Sequence, residues 1–95
     1  MSARRRWLVC YDIADQRRLR RVARACSGYG ERLQFSVFAC PLDRAMLARL
    51  QGELIPLINH AEDQILFALL DSGEPSAMML TIGRPAPERE RLTII

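Results

Sequence analysis

The sequence contains no lysine: all 14 basic side chains of its 95 residues are arginine. A chain that puts its whole positive charge on guanidinium groups favours planar, bidentate partners such as phosphate over diffuse pairing. Histidine is nearly absent too. The single His60 sits without a neighbouring nucleophile, so Ser-His-Asp and Cys-His catalysis find no support. It reads as a solvated loop residue with no assigned role. The three cysteines, Cys10, Cys26 and Cys40, are odd in number and lack C-x-x-C spacing. That pattern gives neither a disulfide framework nor a zinc site, and is expected of buried free thiols in the cytoplasm. Long apolar runs are missing. The run from Trp7 to Tyr11 is far short of the ~20 residues that span a bilayer, and it ends in an acid where a signal peptide would not. Gly28-x-Gly30 lacks the later glycine and following helix of a phosphate-cradling loop. There are no repeats and no low-complexity linker.

What is present is a core's worth of apolar residues, 49% of the chain, enough for one domain over residues 1–95. A domain this small leaves room for support from dimerisation. The net charge of +3 conceals a split: residues 1–32 carry nine arginines against Asp12, Asp15 and Glu31, net +6, and the remainder carries −3. A basic first third suits an anion-binding or nucleic-acid-binding face; the plainer alternative is a solvated helix face.

Residues 6–13 (RWLVCYDI) are almost continuously apolar and predict a central strand. Asp15 stands where a helix N-cap belongs. Leu19, Val22, Ala23 and Cys26 then fall on one helical stripe, while Arg17, Arg21 and Arg24 share another face flanked by Arg18 and Arg20. Residues 27–30 end that helix. Residues 31–40 alternate and predict a single strand, with Leu33, Phe35, Val37 and Ala39 on one side and Arg32, Gln34, Ser36 and Phe38 on a polar-leaning other. Pro41 closes it, and Asp43 caps a second helix whose stripe is Leu47, Leu50, Leu54 and Leu57 or Ile58, interrupted near Ile55 by Pro56. Residues 64–70 predict a second central strand, 71–75 a turn, 76–82 a further strand, 83–87 a loop, and 91–95 an adhesive β-prone tail. The expected architecture is an α+β sandwich of ferredoxin-like form, ordered near β-α-β-α-β-β, with two helices on one face of a mainly antiparallel sheet. Strands apolar on both sides require a cover for the second face, which a symmetric sheet-to-sheet dimer would supply.

Asp12 is the most informative residue for chemistry. A carboxylate ending an apolar strand just before a helix is either a structural acid taking the helix's free N–H groups or a ligand for a divalent metal. One carboxylate is thin for Mg2+, but a two-fold dimer would bring two copies together, and a metal so held can activate water on a phosphodiester. Asp15 reads as a cap first and a ligand second.

Three segments resemble the small CRISPR-associated Cas-two family: Tyr11-Asp12-Ile13 ending the first strand before an arginine-loaded helix, Arg32-x-Gln34-Phe35-Ser36-Val37-Phe38, and Ile82-Gly83-Arg84 before a proline-containing loop and a terminal Ile94-Ile95. The resemblance implies a ferredoxin-like homodimer whose terminal strand adds to the partner's sheet. It implies a role in acquiring CRISPR spacers with the larger Cas-one integrase, and metal-dependent endonuclease activity on RNA or DNA. Asp12 then matches the metal-binding catalytic acid, with Mg2+ as the expected ion. Tyr11, Arg21, Arg32, Ser36 and Phe38 match positions linked to activity or substrate contact, and Arg17 and Arg18 match a basic helix start. The turn 71–75 departs from the family's more cysteine-rich or basic connection. Besides the nuclease, the sequence leaves open a non-catalytic duplex-DNA scaffold and, outside nucleic acids, a ferredoxin-like ligand-sensing or interaction module.

Overall fold

A computed structural model of the chain describes residues 3–70 and 79–85. The strand predicted from residue 6 forms β1, Arg5–Asp12, in the middle of the sheet. Asp15 caps α1, Gln16–Ser27, its side chain accepting from the Arg18 amide at 2.9 Å. Asp43 does the same for α2, Arg44–Leu54, accepting from the Met46 amide at 2.8 Å. Pro56 falls in a short 3-10 turn, Ile55–Leu57, so the second helix stops where a missing N–H requires it to.

Residues 31–40 correct the expectation. They form not one strand but a hairpin: β2, Glu31–Gln34, and β3, Val37–Leu42, turn at Phe35-Ser36 and pair Gln34 with Val37. Alternation along a strand continues across a two-residue turn, so it does not reveal the reversal. The inward set is also different. Phe38, Cys40 and Leu42 are buried, whereas Leu33 and Phe35 are exposed. Pro41 does not end β3. It pairs with Arg6 on one side, and β2 stops opposite Ala39, so its lost donor faces an unpaired edge.

β4, Gln64–Leu69, and β5, Met79–Gly83, complete an open antiparallel sheet in the order β2-β3-β1-β4-β5. The order β-α-β-β-α-β of its first six major elements, with β1 between β3 and β4, is the ferredoxin-like arrangement, and β5 is appended outside β4. The turn expected at 71–75, the start of the strand at 76–78 and the tail at 91–95 lie outside the described residues.

Register puts Val9 between Phe38 and Phe67, and Tyr11 beside Ile65. These side chains join Val22 and Cys26 of α1 and Leu50 and Leu54 of α2 in one core, so both helices cover the same face. The opposite face carries Leu8, Cys10, Val37, Ala39, Leu66 and Ala68, all half-buried in the single chain.

Candidate functional site

Asp12 ends β1 on that open face, one residue past Tyr11, which points into the helix-covered core. Its carboxylate is 78% exposed and does not receive the free amides of α1. Instead Oδ2 accepts a hydrogen bond from the Arg84 guanidinium at 2.8 Å. The acid that satisfies the backbone before α1 is Asp63, which has no exposed surface. Asp63 accepts from the amides of Ala14 at 2.9 Å and Asn59 at 2.8 Å, and from Arg18 Nε at 2.7 Å. Burial pushes the Asp63 carboxyl up, but the bonds from Arg18 and the two amides outweigh it and hold the pKa at about 2. Sequence reasoning missed this residue. The signal available was an acid pair, Glu62-Asp63, set directly before a strand apolar on both sides.

Arg18 therefore points inward as well as along the surface. It bonds Asp63 twice and Glu62 once, at 3.1 Å. Arg17, Arg20, Arg21 and Arg24 form the exposed stripe of α1, and none joins a salt bridge among the described residues. The remaining expected residues meet at the same end of the sheet as Asp12, but beneath the helices. The Tyr11 hydroxyl donates to the Phe35 carbonyl at 3.3 Å, and the Tyr11 amide donates to the Ser36 carbonyl at 3.1 Å. Tyr11 stacks on Phe38 with centroids 6.2 Å apart. Arg32 lies over the Phe38 ring at 5.3 Å and the Phe35 ring at 5.8 Å, and donates weakly to the Tyr11 hydroxyl at 3.4 Å. Arg32 and Arg24 also face a shared cleft of about 360 Å³ between the end of α1 and the hairpin.

The site residues thus gather on one rim of the sheet but divide between its faces. Asp12 and Arg84 stand at the margin of the open face; Tyr11 and Phe38 are buried on the helix-covered face, with exposed Arg32 over the Phe38 ring. Burial pushes the Cys26 thiol up to about 12 and the Cys40 thiol up to about 11, so neither is a thiolate at neutral pH. Among the described residues no three His, Cys, Asp or Glu side chains cluster as a metal site, and no helix is long and apolar enough to cross a membrane.

The chain is similar to known proteins in sequence and in fold. A relative from Geobacter sulfurreducens named CRISPR-associated endoribonuclease Cas2 is 43% identical over 67 residues, covering 70% of this chain and 68% of that protein. One of the same name from Nitratidesulfovibrio vulgaris is 35% identical over 88 residues, covering 87% and 86%. Among solved structures, the hypothetical protein TT1823 from Thermus thermophilus matches with a TM-score of 0.71 at 32% identity over 90% of this chain and 99% of that one. Streptococcus pyogenes Cas2 matches with a TM-score of 0.67 at 36% identity over 72% and 88%. The pattern of the family described as CRISPR associated protein Cas2 matches residues 5–78, from the start of β1 past the end of β4, and the chain belongs to that family.

Proposed function

We propose that this CRISPR-associated protein works as a homodimer, with the Cas-one integrase as its partner in spacer acquisition, and that it cleaves phosphodiester bonds of RNA or DNA with a divalent metal at Asp12. The observation that carries the nuclease reading is the exposed Asp12 carboxylate at the end of β1, followed in the chain by a helix whose Arg17, Arg20, Arg21 and Arg24 are exposed and join no salt bridge among the described residues.

The donor set suits Mg2+ as half of a site. Asp12 offers a hard oxygen on a strand end, the ligand type this ion prefers, and with no cluster of three His, Cys, Asp or Glu side chains among the described residues it stands at the low end of the one or two carboxylates the ion takes from a protein. The open face explains how the second half arises. Its half-buried apolar side chains suit packing against a second copy, and Asp12 lies at the margin of that face, where a two-fold mate brings another Asp12 near. A bound Mg2+ would supply Lewis-acid polarisation of the scissile phosphate. The chain's own residues do the rest. Arg17 and Arg21 bind and orient phosphates along the exposed stripe. Arg18, fixed by Asp63, ties α1 to the loop before β4 and keeps that stripe in register with Asp12. Tyr11, Ser36 and Phe38 brace the hairpin that carries Arg32.

Purified wild type and Asp12→Ala, each with Mg2+ and with chelator, test the reading on RNA and duplex DNA. The expected result is cleavage that needs the metal and disappears in the variant, while the dimer persists. Metal-dependent cleavage at the wild-type rate by Asp12→Ala would sink it. The scaffold reading, a DNA-binding platform without cleavage, is favoured by one observation: Asp12 already has a cationic partner in Arg84. It expects Asp12→Ala to leave spacer acquisition intact, and charge reversal of Arg17 and Arg21 to abolish it.

A further inference from the structure

Arg84 is held at its amide, its carbonyl and its Nε. Its amide donates to the Asp63 carbonyl at 2.8 Å, and Gln64 Nε2 donates to its carbonyl at 3.0 Å. Its Nε donates to the Glu62 carbonyl at 2.8 Å. The preceding Gly83 has φ +94, and a Cβ there would lie 2.2 Å from the Asp63 carbonyl oxygen. Only glycine lets the chain close on that carbonyl and turn Arg84 back across the end of β4. Nη2 of the guanidinium then reaches Asp12 Oδ2 while Nε stays on the Glu62 carbonyl. An ordinary surface ion pair costs side-chain entropy to assemble, but here the arginine is already ordered by its backbone and Nε bonds.

We propose that Arg84 is a positioning residue for Asp12 and the built-in counter-ion of its carboxylate. It fixes the acid's orientation, occupies Oδ2, and lowers the affinity of the site for a divalent cation until a substrate phosphate draws the guanidinium away. The inference rests on Asp12 being a metal ligand. A cation approaching the carboxylate meets a positive charge already in place, and must share the acid or displace it. A phosphodiester entering the rim offers the guanidinium a second anion, so metal and phosphate binding favour each other through Arg84.

The test is Mn2+ binding to the intact protein, followed by the electron paramagnetic resonance of free Mn2+, for wild type, Arg84→Gln, Arg84→Lys and Asp12→Asn. Arg84→Gln is expected to bind Mn2+ about fivefold more tightly than wild type without nucleic acid, the ceiling set by one exposed ion pair. Arg84→Lys keeps a charge but not the Nε bond to Glu62, and falls between the two. Added single-stranded oligonucleotide tightens Mn2+ binding to wild type and leaves Arg84→Gln nearly unchanged. Equal or weaker Mn2+ binding by Arg84→Gln, with wild-type binding abolished by Asp12→Asn, overturns the role of Arg84 and leaves the metal reading standing. Binding that is indifferent to Asp12→Asn overturns the metal reading, and the inference with it.

Discussion

Asp63 is a full carboxylate with no exposed surface, and at the scale of the residue it shows how a charge becomes tolerable inside a small protein. Two amides and a guanidinium replace its lost water. The sign of its pH effect follows from the direction of its shift. Its pKa is about 2 in the fold against roughly 3.9 in an unfolded chain, so its stabilisation is complete above the unfolded value and lost as pH falls through the folded one. The loss amounts to about 2 kcal/mol between roughly pH 4 and pH 2. Asp63→Asn keeps an acceptor oxygen but carries no charge, and urea titrations across that window should show its stability to be flatter with pH than wild type. Asp63→Ala leaves Arg18 and both amides without their partner, and should lower the unfolding free energy by about 3 kcal/mol. Glu62→Gln, on the exposed side of Arg18, should cost less than about 1 kcal/mol in the same titration.

Elements differ in how openly the sequence states them. β1, α1, α2 and β4 are legible because local rules agree with burial: continuous apolar runs in the two central strands, Asp15 and Asp43 at the helix starts, and one apolar stripe on each helix. The hairpin of β2 and β3 is not, because Phe35-Ser36 contains none of the Gly, Asn or Asp residues that mark a two-residue turn. Tertiary contacts hold it instead, through the Tyr11 hydroxyl and amide to Phe35 and Ser36. Of the site, Asp12 and the α1 arginines can be picked out by residue type and position. Arg84 and Asp63 emerge only when the loop before β4 and the segment after β5 meet at the same end of the β4–β5 pair. Gly83 makes that meeting possible, and Gly83→Ala tests it. The positive φ and the contact with the Asp63 carbonyl should cost about 1–3 kcal/mol of stability in urea unfolding. The Arg84 bond to Asp12 should weaken with it, so that Mn2+ binding moves in the same direction as in Arg84→Gln.

For the whole molecule, the sheet separates two surfaces of different chemistry. Helices cover one face and display arginines outward from α1; the other face carries no helix among the described residues and presents half-buried apolar side chains with Asp12 at its rim. In the proposed dimer, pairing two copies through this face would place the helices on the two outer sides and double the arginine stripe along with Asp12. A long nucleic acid can then touch both stripes, whereas a monomer offers one. Leu66 lies opposite Cys10 in register, in the middle of that face. Leu66→Glu buries a charge on association and should give a monomer by sedimentation, while circular dichroism stays that of the folded chain. Each phosphate neutralised contributes about −0.9 to the slope of log K against log salt for duplex DNA. The slope for Leu66→Glu should therefore fall to about half that of wild type. Charge reversal at Arg17 and Arg21 should flatten the slope while leaving the dimer whole. An unchanged slope in the monomer would mean that a single arginine stripe does all the binding, and that the dimer serves Asp12 rather than the length of the nucleic acid.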